Sequence, residues 1–218
     1  MSAPATLDHV VLATNDLAEG IREVEERTGV RAVLGGAHPT GTANALIALT
    51  RDGQRGPVYL EIIGPDPDRA PGVEPTAFDI AQRRGLAVAG FAVHPADIVA
   101  AAAAARAAGE DPGPISPLSR RTPEGALLEW RLAKDGAGMP VLPFLIDWGN
   151  TPQPGLGALP TLELIALRAE STRPEYHAAV LRATETTLDL APGAGDVLEL
   201  VLGSARGISV FRSDAGAP

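Results

Sequence analysis

The chain has 218 residues, 45% of them hydrophobic, a formal net charge of -9 and no cysteine. That is ample apolar material for one large domain or two closely packed ones, while the acidic surplus excludes a nucleic-acid partner, which needs clustered Lys and Arg. The missing cysteines exclude disulfides, thiolate zinc sites and cysteine nucleophiles. No apolar run reaches the roughly 20 residues of a membrane span, and the start from Met1 to Thr6 lacks the regions of a secretory signal. The expectation is a cytoplasmic protein without a membrane partner.

In chain order, Leu7 to Asp16 reads as a strand closing on Asn15 and Asp16, good helix N-caps. Leu17, Ile21, Val24 and Thr28 then stripe one face of a helix, with Gly29 at its C-terminal cap. A loop from Gly35 to Thr42 leads to two strands, Asn44 to Thr50 and Val58 to Ile63, around a turn at Asp52 and Gly53. The same order then returns. Its parts are a strand from Leu86 to Val93, a helix opened at Pro95 to Asp97 and running from Ile98 to Ala108, and Gly109 as its stop. A proline-rich loop from Asp111 to Arg121 follows, then strands Ala126 to Leu132 and Val141 to Trp148 around a turn at Asp135 and Gly136. A shorter third pass holds a strand from Thr161 to Leu167, a helix capped at Ser171 to Pro174, and strands Val197 to Leu202 and Ile208 to Phe211. Segments 65–76 and 151–159, rich in Pro and Gly, are linkers. Strand-rich units with one helix each predict an α+β fold whose sheets bury one face.

In that order, Leu7-Asp8-His9, Gly36-Ala37-His38-Pro39, Gly41-Thr42-Ala43-Asn44, Tyr59-Leu60-Glu61 and Pro143 to Trp148 resemble the glyoxalase-like domain proteins of bacteria. These are part of the vicinal oxygen chelate (glyoxalase/bleomycin resistance/dioxygenase) superfamily. The resemblance covers residues 7 to 150, and beyond 160 it rests on element order. It implies repeated βαβββ modules, 5–66 and 84–150, pairing into one domain of curved mixed sheets around a cleft, with a third, degenerate unit at 160–213. A small-molecule substrate and a homodimer are further implications. Superfamily members take metal ligands from the first and last strands of a module, here His9 and Glu61, and an imidazole with a carboxylate suits Fe, Mn, Ni, Co or Zn.

Strand alternation puts Leu7, His9 and Val11 on one face, and Tyr59, Glu61 and Ile63 on another, so both polar groups can point into one cavity. The second copy departs from this. Aligning Ala13 with Ala92 and Gly64 with Gly149 sets Val88 opposite His9 and Ile146 opposite Glu61, and neither can bind a metal. Asp147 lies one residue out of register, which leaves His38 as the candidate third ligand.

Without a metal, His9 and Glu61 form a buried hydrogen-bonded pair able to do acid–base work, and both are candidate catalytic residues. Candidate substrate-binding residues are His38 in its glycine-rich turn, Asn44 beside it, Arg131 as a clamp for a carboxylate or phosphate, and Trp148 as a ring contact. Each has a plainer reading: a loop residue, a loop-fixing amide, a solvated strand face and a core side chain. Arg120 and Arg121 read as loop residues, and His94 and His177 carry no assigned role. No P-loop or dinucleotide fingerprint occurs, so no nucleotide cofactor is expected, and no Gly-x-Ser-x-Gly elbow is present. The expected function is a metal-assisted lyase, isomerase or dioxygenase of the glyoxalase kind. The alternative is a metal-free small-molecule binding or sequestration protein of the bleomycin-resistance type.

Overall fold

The computed structural model describes residues 3–4, 6–134 and 139–214; the predicted turn at Asp135 and Gly136 lies outside them. The first copy holds β1 (Leu7–Ala13), α1 (Leu17–Thr28), β2 (Val33–Ala37), β3 (Thr42–Arg51) and β4 (Gln54–Pro65). The Asp16 side chain caps α1 by accepting the Glu19 N–H, and the helix stops at Gly29 with φ 77°. The second copy holds β5 (Ala87–Val93), α2 (Ile98–Ala107), β6 (Ile115–Arg121), β7 (Leu127–Ala133) and β8 (Phe144–Asp147). Asp97 caps α2 through the Val99 and Ala100 N–H groups. The third segment holds β9 (Thr161–Ser171), α3 (Pro174–Ala183), β10 (Asp189–Pro192), β11 (Val197–Ser204) and β12 (Gly207–Arg212).

Two strands stand where the sequence predicted loops. Strand β2 carries Gly35 and Gly36, whose weak strand preference hides it. Its glycines answer a packing demand: a Cβ on Gly36, at φ 139°, would stand 2.1 Å from the Arg121 carbonyl oxygen of the adjoining strand. Strand β6 is hidden in the same way by Pro117, and its pairing with β2 runs through Ala37 and Arg121.

Among the described residues all twelve strands belong to one sheet, ordered β12-β11-β9-β3-β2-β6-β7-β8-β5-β1-β4, with β10 on β9. Because β4 also pairs with β3, the run from β3 through β2, β6, β7, β8, β5 and β1 to β4 closes on itself. The fold is α+β, a curved mixed sheet closed as a barrel-like ring. The two copies join through equivalent strands, β1 antiparallel to β5 on one side and β2 antiparallel to β6 on the other.

Alternation along the strands then separates two interiors. Val10, Leu12, Leu60 and Ile62 face outward, packed in one core with Leu17, Ile21 and Val24 of α1 and Ile98 and Ala102 of α2. Leu46, Tyr59, Ala92, Ile146 and Trp148 pack together in a separate cluster inside the ring. Strand β9 runs parallel to β3 at Ala48 to Thr50, so the third segment extends the sheet beyond the ring.

One expected correspondence changes. The ladder between β1 and β5 slips between Val11 and Leu12, so Val88 pairs with Leu12 and joins the helix-side core. Ala92, not Val88, faces His9 across the ladder. A one-residue slip exchanges the faces of a strand, which is why equal spacing misplaced this position.

Candidate active site

Inside the ring lies a cavity of about 340 Å³, with His9, Asn44 and Glu61 from the first copy facing Leu132, Ile146 and Trp148 from the second. Polar chemistry therefore collects on one wall and apolar surface on the other. Of the predicted residues, His9, Glu61, His38, Asn44 and Trp148 all line this cavity.

His9 is held on three sides. Its Nδ1 lies 2.6 Å from Asp8 Oδ1, and the ring stacks on Tyr59 at 4.7 Å between centroids with Phe144 edge-on at 5.3 Å. Consecutive strand residues normally face opposite ways, but the β1–β5 ladder is irregular between Leu7 and His9, and here Asp8 meets the ring of its neighbour. Asp8 is 1% exposed, and its other oxygen accepts the Trp148 Nε1–H at 2.9 Å. An acceptor at Nδ1 fixes the proton there in the neutral ring and leaves Nε2 as the free base. That Nε2 stands 3.8 Å from Glu61 Oε2. The other Glu61 oxygen accepts from Asn44 Nδ2 at 2.6 Å, so the carboxylate is oriented with one oxygen toward His9.

The Tyr59 phenol is driven well above its ordinary pKa, first by burial and then by Asp8 and Glu61, and it stays neutral at physiological pH. His38 is held by its loop, with Nδ1 2.9 Å from Thr42 Oγ1 and its backbone N–H bonded to the Thr42 carbonyl. Burial holds the His38 imidazole below the usual histidine range.

Arg131 is not brought to the cavity. Trp130 and Leu132 point inward on β7, so Arg131 points out, where its guanidinium, half exposed, bonds Asp147. The Asp147 carboxyl is lowered chiefly by that hydrogen bond, and it lies on the outer side with His94 at 3.9 Å. The buried cation that does line the cavity is Arg120, 5% exposed, donating from Nη1 to the Gly35 carbonyl, and Lys134 lines it as well. Together with Asp8, Arg120 is the site residue that reading the sequence missed. Asp8 gave no signal, since strand alternation turns it away from His9. Arg120 would have been found had the pattern Leu118-x-Arg120 been taken as a strand despite Pro117.

The donor set bears on the implied metal. His9 Nε2 and Glu61 Oε2 are close enough for one ion to bridge with bonds of about 2.0–2.2 Å. A catalytic centre of this kind takes about three protein ligands. Among the described residues no three His, Asp or Glu side chains gather as a metal-binding set; Ala92 pairs with His9 across the ladder, and the second copy lines the cavity with Ile146. Two donors do not make up such a centre.

Paired copies closed around a cavity, with a histidine and a carboxylate from the first and last strands of one copy, define a protein of the vicinal oxygen chelate superfamily. The glyoxalase-like domain family model matches residues 7–185, and the chain belongs to that family. No curated protein matches it. Among solved structures, a hypothetical protein from Staphylococcus aureus is similar at TM-score 0.57 and 15% identity, over 96% of this chain and 86% of that one. A methylmalonyl-CoA epimerase variant from Streptomyces coelicolor, in complex with 2-nitronate-propionyl-CoA, aligns at TM-score 0.42 and 22% identity, over 68% and 97% of the two chains. A 4-hydroxymandelate synthase mutant from Streptomyces coelicolor aligns at TM-score 0.45 and 17% identity, over 97% of this chain and 63% of that one. No helix is long and apolar enough to cross a membrane among the described residues.

Proposed function

We propose that the protein is a small-molecule lyase or isomerase that works by acid–base chemistry, with His9 as the residue that moves the proton. The observation that carries this reading is the buried chain Asp8–His9–Glu61, closed at one end by Trp148 and at the other by Asn44. In the proposed step a substrate C–H or O–H proton passes to His9 Nε2, and its electron pair stays on the substrate. The imidazolium so formed lies between two carboxylates, Asp8 at Nδ1 and Glu61 beside Nε2. Return of the proton to another position gives an isomer, and loss of a leaving group from the carbanion gives a lyase product. Positioned proton transfer of this kind contributes about 10²–10⁴-fold.

A protein that only sequestered an apolar molecule would have little use for two buried carboxylates and an oriented imidazole, because burying charge is costly unless it is paired or used. Dioxygenase chemistry asks for a metal donor set that two ligands do not supply.

Solvent exchange tests the proposal whatever the product is. A panel of carbonyl-activated carbon acids incubated in D₂O should exchange a carbon-bound proton with the wild type, read by proton NMR. His9→Gln should abolish that exchange and Asp8→Asn should slow it. Exchange no faster than buffer across the panel, or equal exchange by His9→Gln, would refute the assignment.

A further inference from the structure

The buried cation of the cavity has no carboxylate in direct contact among the described residues. Asp8 and Glu61 each accept a strong hydrogen bond from a neighbour. Arg120, almost as buried, bonds only the neutral Gly35 carbonyl and forms no ion pair among the described residues. It lines the cavity with Tyr59, Glu61 and His38, with which its charge is coupled. A guanidinium has five N–H donors. None of its nitrogens is among the fully enclosed polar atoms without a partner, so the remaining donors are reachable from the cavity they line. A buried cation whose only acceptor is a neutral carbonyl, with its other donors open to the cavity, is a ready anchor for an anionic ligand group. The planar fork matches a carboxylate with two parallel hydrogen bonds.

The rest of the cavity narrows the choice. Its opposite wall is Trp130, Leu132, Phe144, Ile146 and Trp148, which offers an apolar body a surface, and Lys134 lines the cavity over the Phe78 ring. We infer that Arg120 is the substrate-anchoring residue and that the cavity takes a small carboxylate with an apolar or aromatic flank. This rests on the cavity being the substrate site of the proposed function. With its carboxylate on Arg120 and its flank on the tryptophans, such a molecule presents its intervening carbons toward His9.

Both tryptophans of the chain line the cavity, so intrinsic fluorescence reports occupancy directly. The probes are hydrocinnamate, its neutral amide hydrocinnamamide, and inorganic phosphate. A charge-assisted bidentate pair predicts that wild type prefers the carboxylate by about 10- to 100-fold. Arg120→Gln should bind both organic probes with the amide's affinity, and its retained amide binding confirms that the variant is folded. Arg120→Lys, which keeps the charge and loses the fork, should retain part of the preference. Should Arg120→Gln not fold, the wild-type comparison and Arg120→Lys decide. Equal affinity of wild type for acid and amide, a preference surviving in folded Arg120→Gln, or tighter binding of phosphate than of hydrocinnamate overturns the inference. Carboxylate preference without proton exchange by wild type defeats only the catalytic reading, and exchange without that preference defeats only this one.

Discussion

Replacing Trp148 by Phe tests whether Asp8 is a braced anion behind His9. The indole Nε1–H is the partner of Asp8 Oδ2 in a place where Asp8 is 1% exposed, so the variant strands one oxygen of a buried carboxylate. Losing a hydrogen bond to a charged group costs about 1.5–3 kcal/mol. Trimming indole to phenyl removes roughly 1 kcal/mol of apolar burial. The sum is about 2.5–4 kcal/mol, a large part of the roughly 5–15 kcal/mol that holds a native domain together. Trp130→Phe is the matched control: its ring packs on Trp148 with centroids 5.4 Å apart but makes no hydrogen bond, so only the apolar share of about 1 kcal/mol should be lost. Urea unfolding followed by far-ultraviolet circular dichroism avoids reliance on the mutated fluorophores. With a slope of about 2 kcal/mol/M, the midpoint should fall by roughly 1–2 M for Trp148→Phe and by about 0.5 M for Trp130→Phe. A double-mutant cycle with Asp8→Asn isolates the pair, and a coupling of about 1–2 kcal/mol is expected. Equal costs for the two tryptophan variants, or no coupling to Asp8, would refute the brace.

Two histidines set the acid side of the stability profile. His38 and His177 both have folded pKa values lowered by burial, so the unfolded chain binds protons more readily than the folded one. Their contribution is therefore complete above the ordinary histidine value near 6.5 and is lost as pH falls below it. Thermal melts between about pH 7 and pH 5 should show this decline, and His177→Gln should flatten it; an unchanged slope would assign the loss to other groups. For the metal, dialysis against Fe, Mn, Ni, Co or Zn followed by metal analysis should leave well under one ion per chain, because only two donors converge. One ion per chain that disappears in His9→Ala would show that a third donor is recruited.

Much of the ring was legible because it is built from local signals. Asp16 and Gly29 mark the ends of α1 by cap chemistry, and Asp97 marks the start of α2 in the same way. His9 and Glu61 were legible because strand alternation projects both inward. What escaped depends on contacts between strands. Strand β2 is a strand because it pairs with β3, and β6 because it pairs with β7; the two meet at Ala37 and Arg121, where Gly36 leaves room for the Arg121 carbonyl. Arg131 was the more attractive arginine as long as β6 was read as a loop; once β6 is a strand, Arg120 faces the cavity while Trp130 turns Arg131 outward. Asp8 could not be read at all, since its position depends on a ladder irregularity opposite β5.

The asymmetry of the copies now has a physical rationale. Closing the ring needs both copies, because β1 must meet β5 and β2 must meet β6. His9, Asp8 and Glu61 all come from the first copy, while Arg120 and the apolar wall come from the second. Had the second copy carried a glutamate in place of Ile146, the added carboxylate would have shared with Glu61 a cavity of about 340 Å³. That would favour an ion at the centre over a free base. Apolar residues there instead leave Glu61 and His9 uncoordinated, keep Asp8 and Trp148 paired, and give an organic ligand a dry wall to lie on. We infer that segment 160–213 acts on this arrangement only from outside. It pairs with β3 at Ala48 to Thr50, on the strand that carries Asn44, and none of the described residues beyond Trp148 lines the cavity. Its contribution would then be to hold β3, and through Asn44 the Glu61 carboxylate, at the distance from His9 on which proton transfer depends.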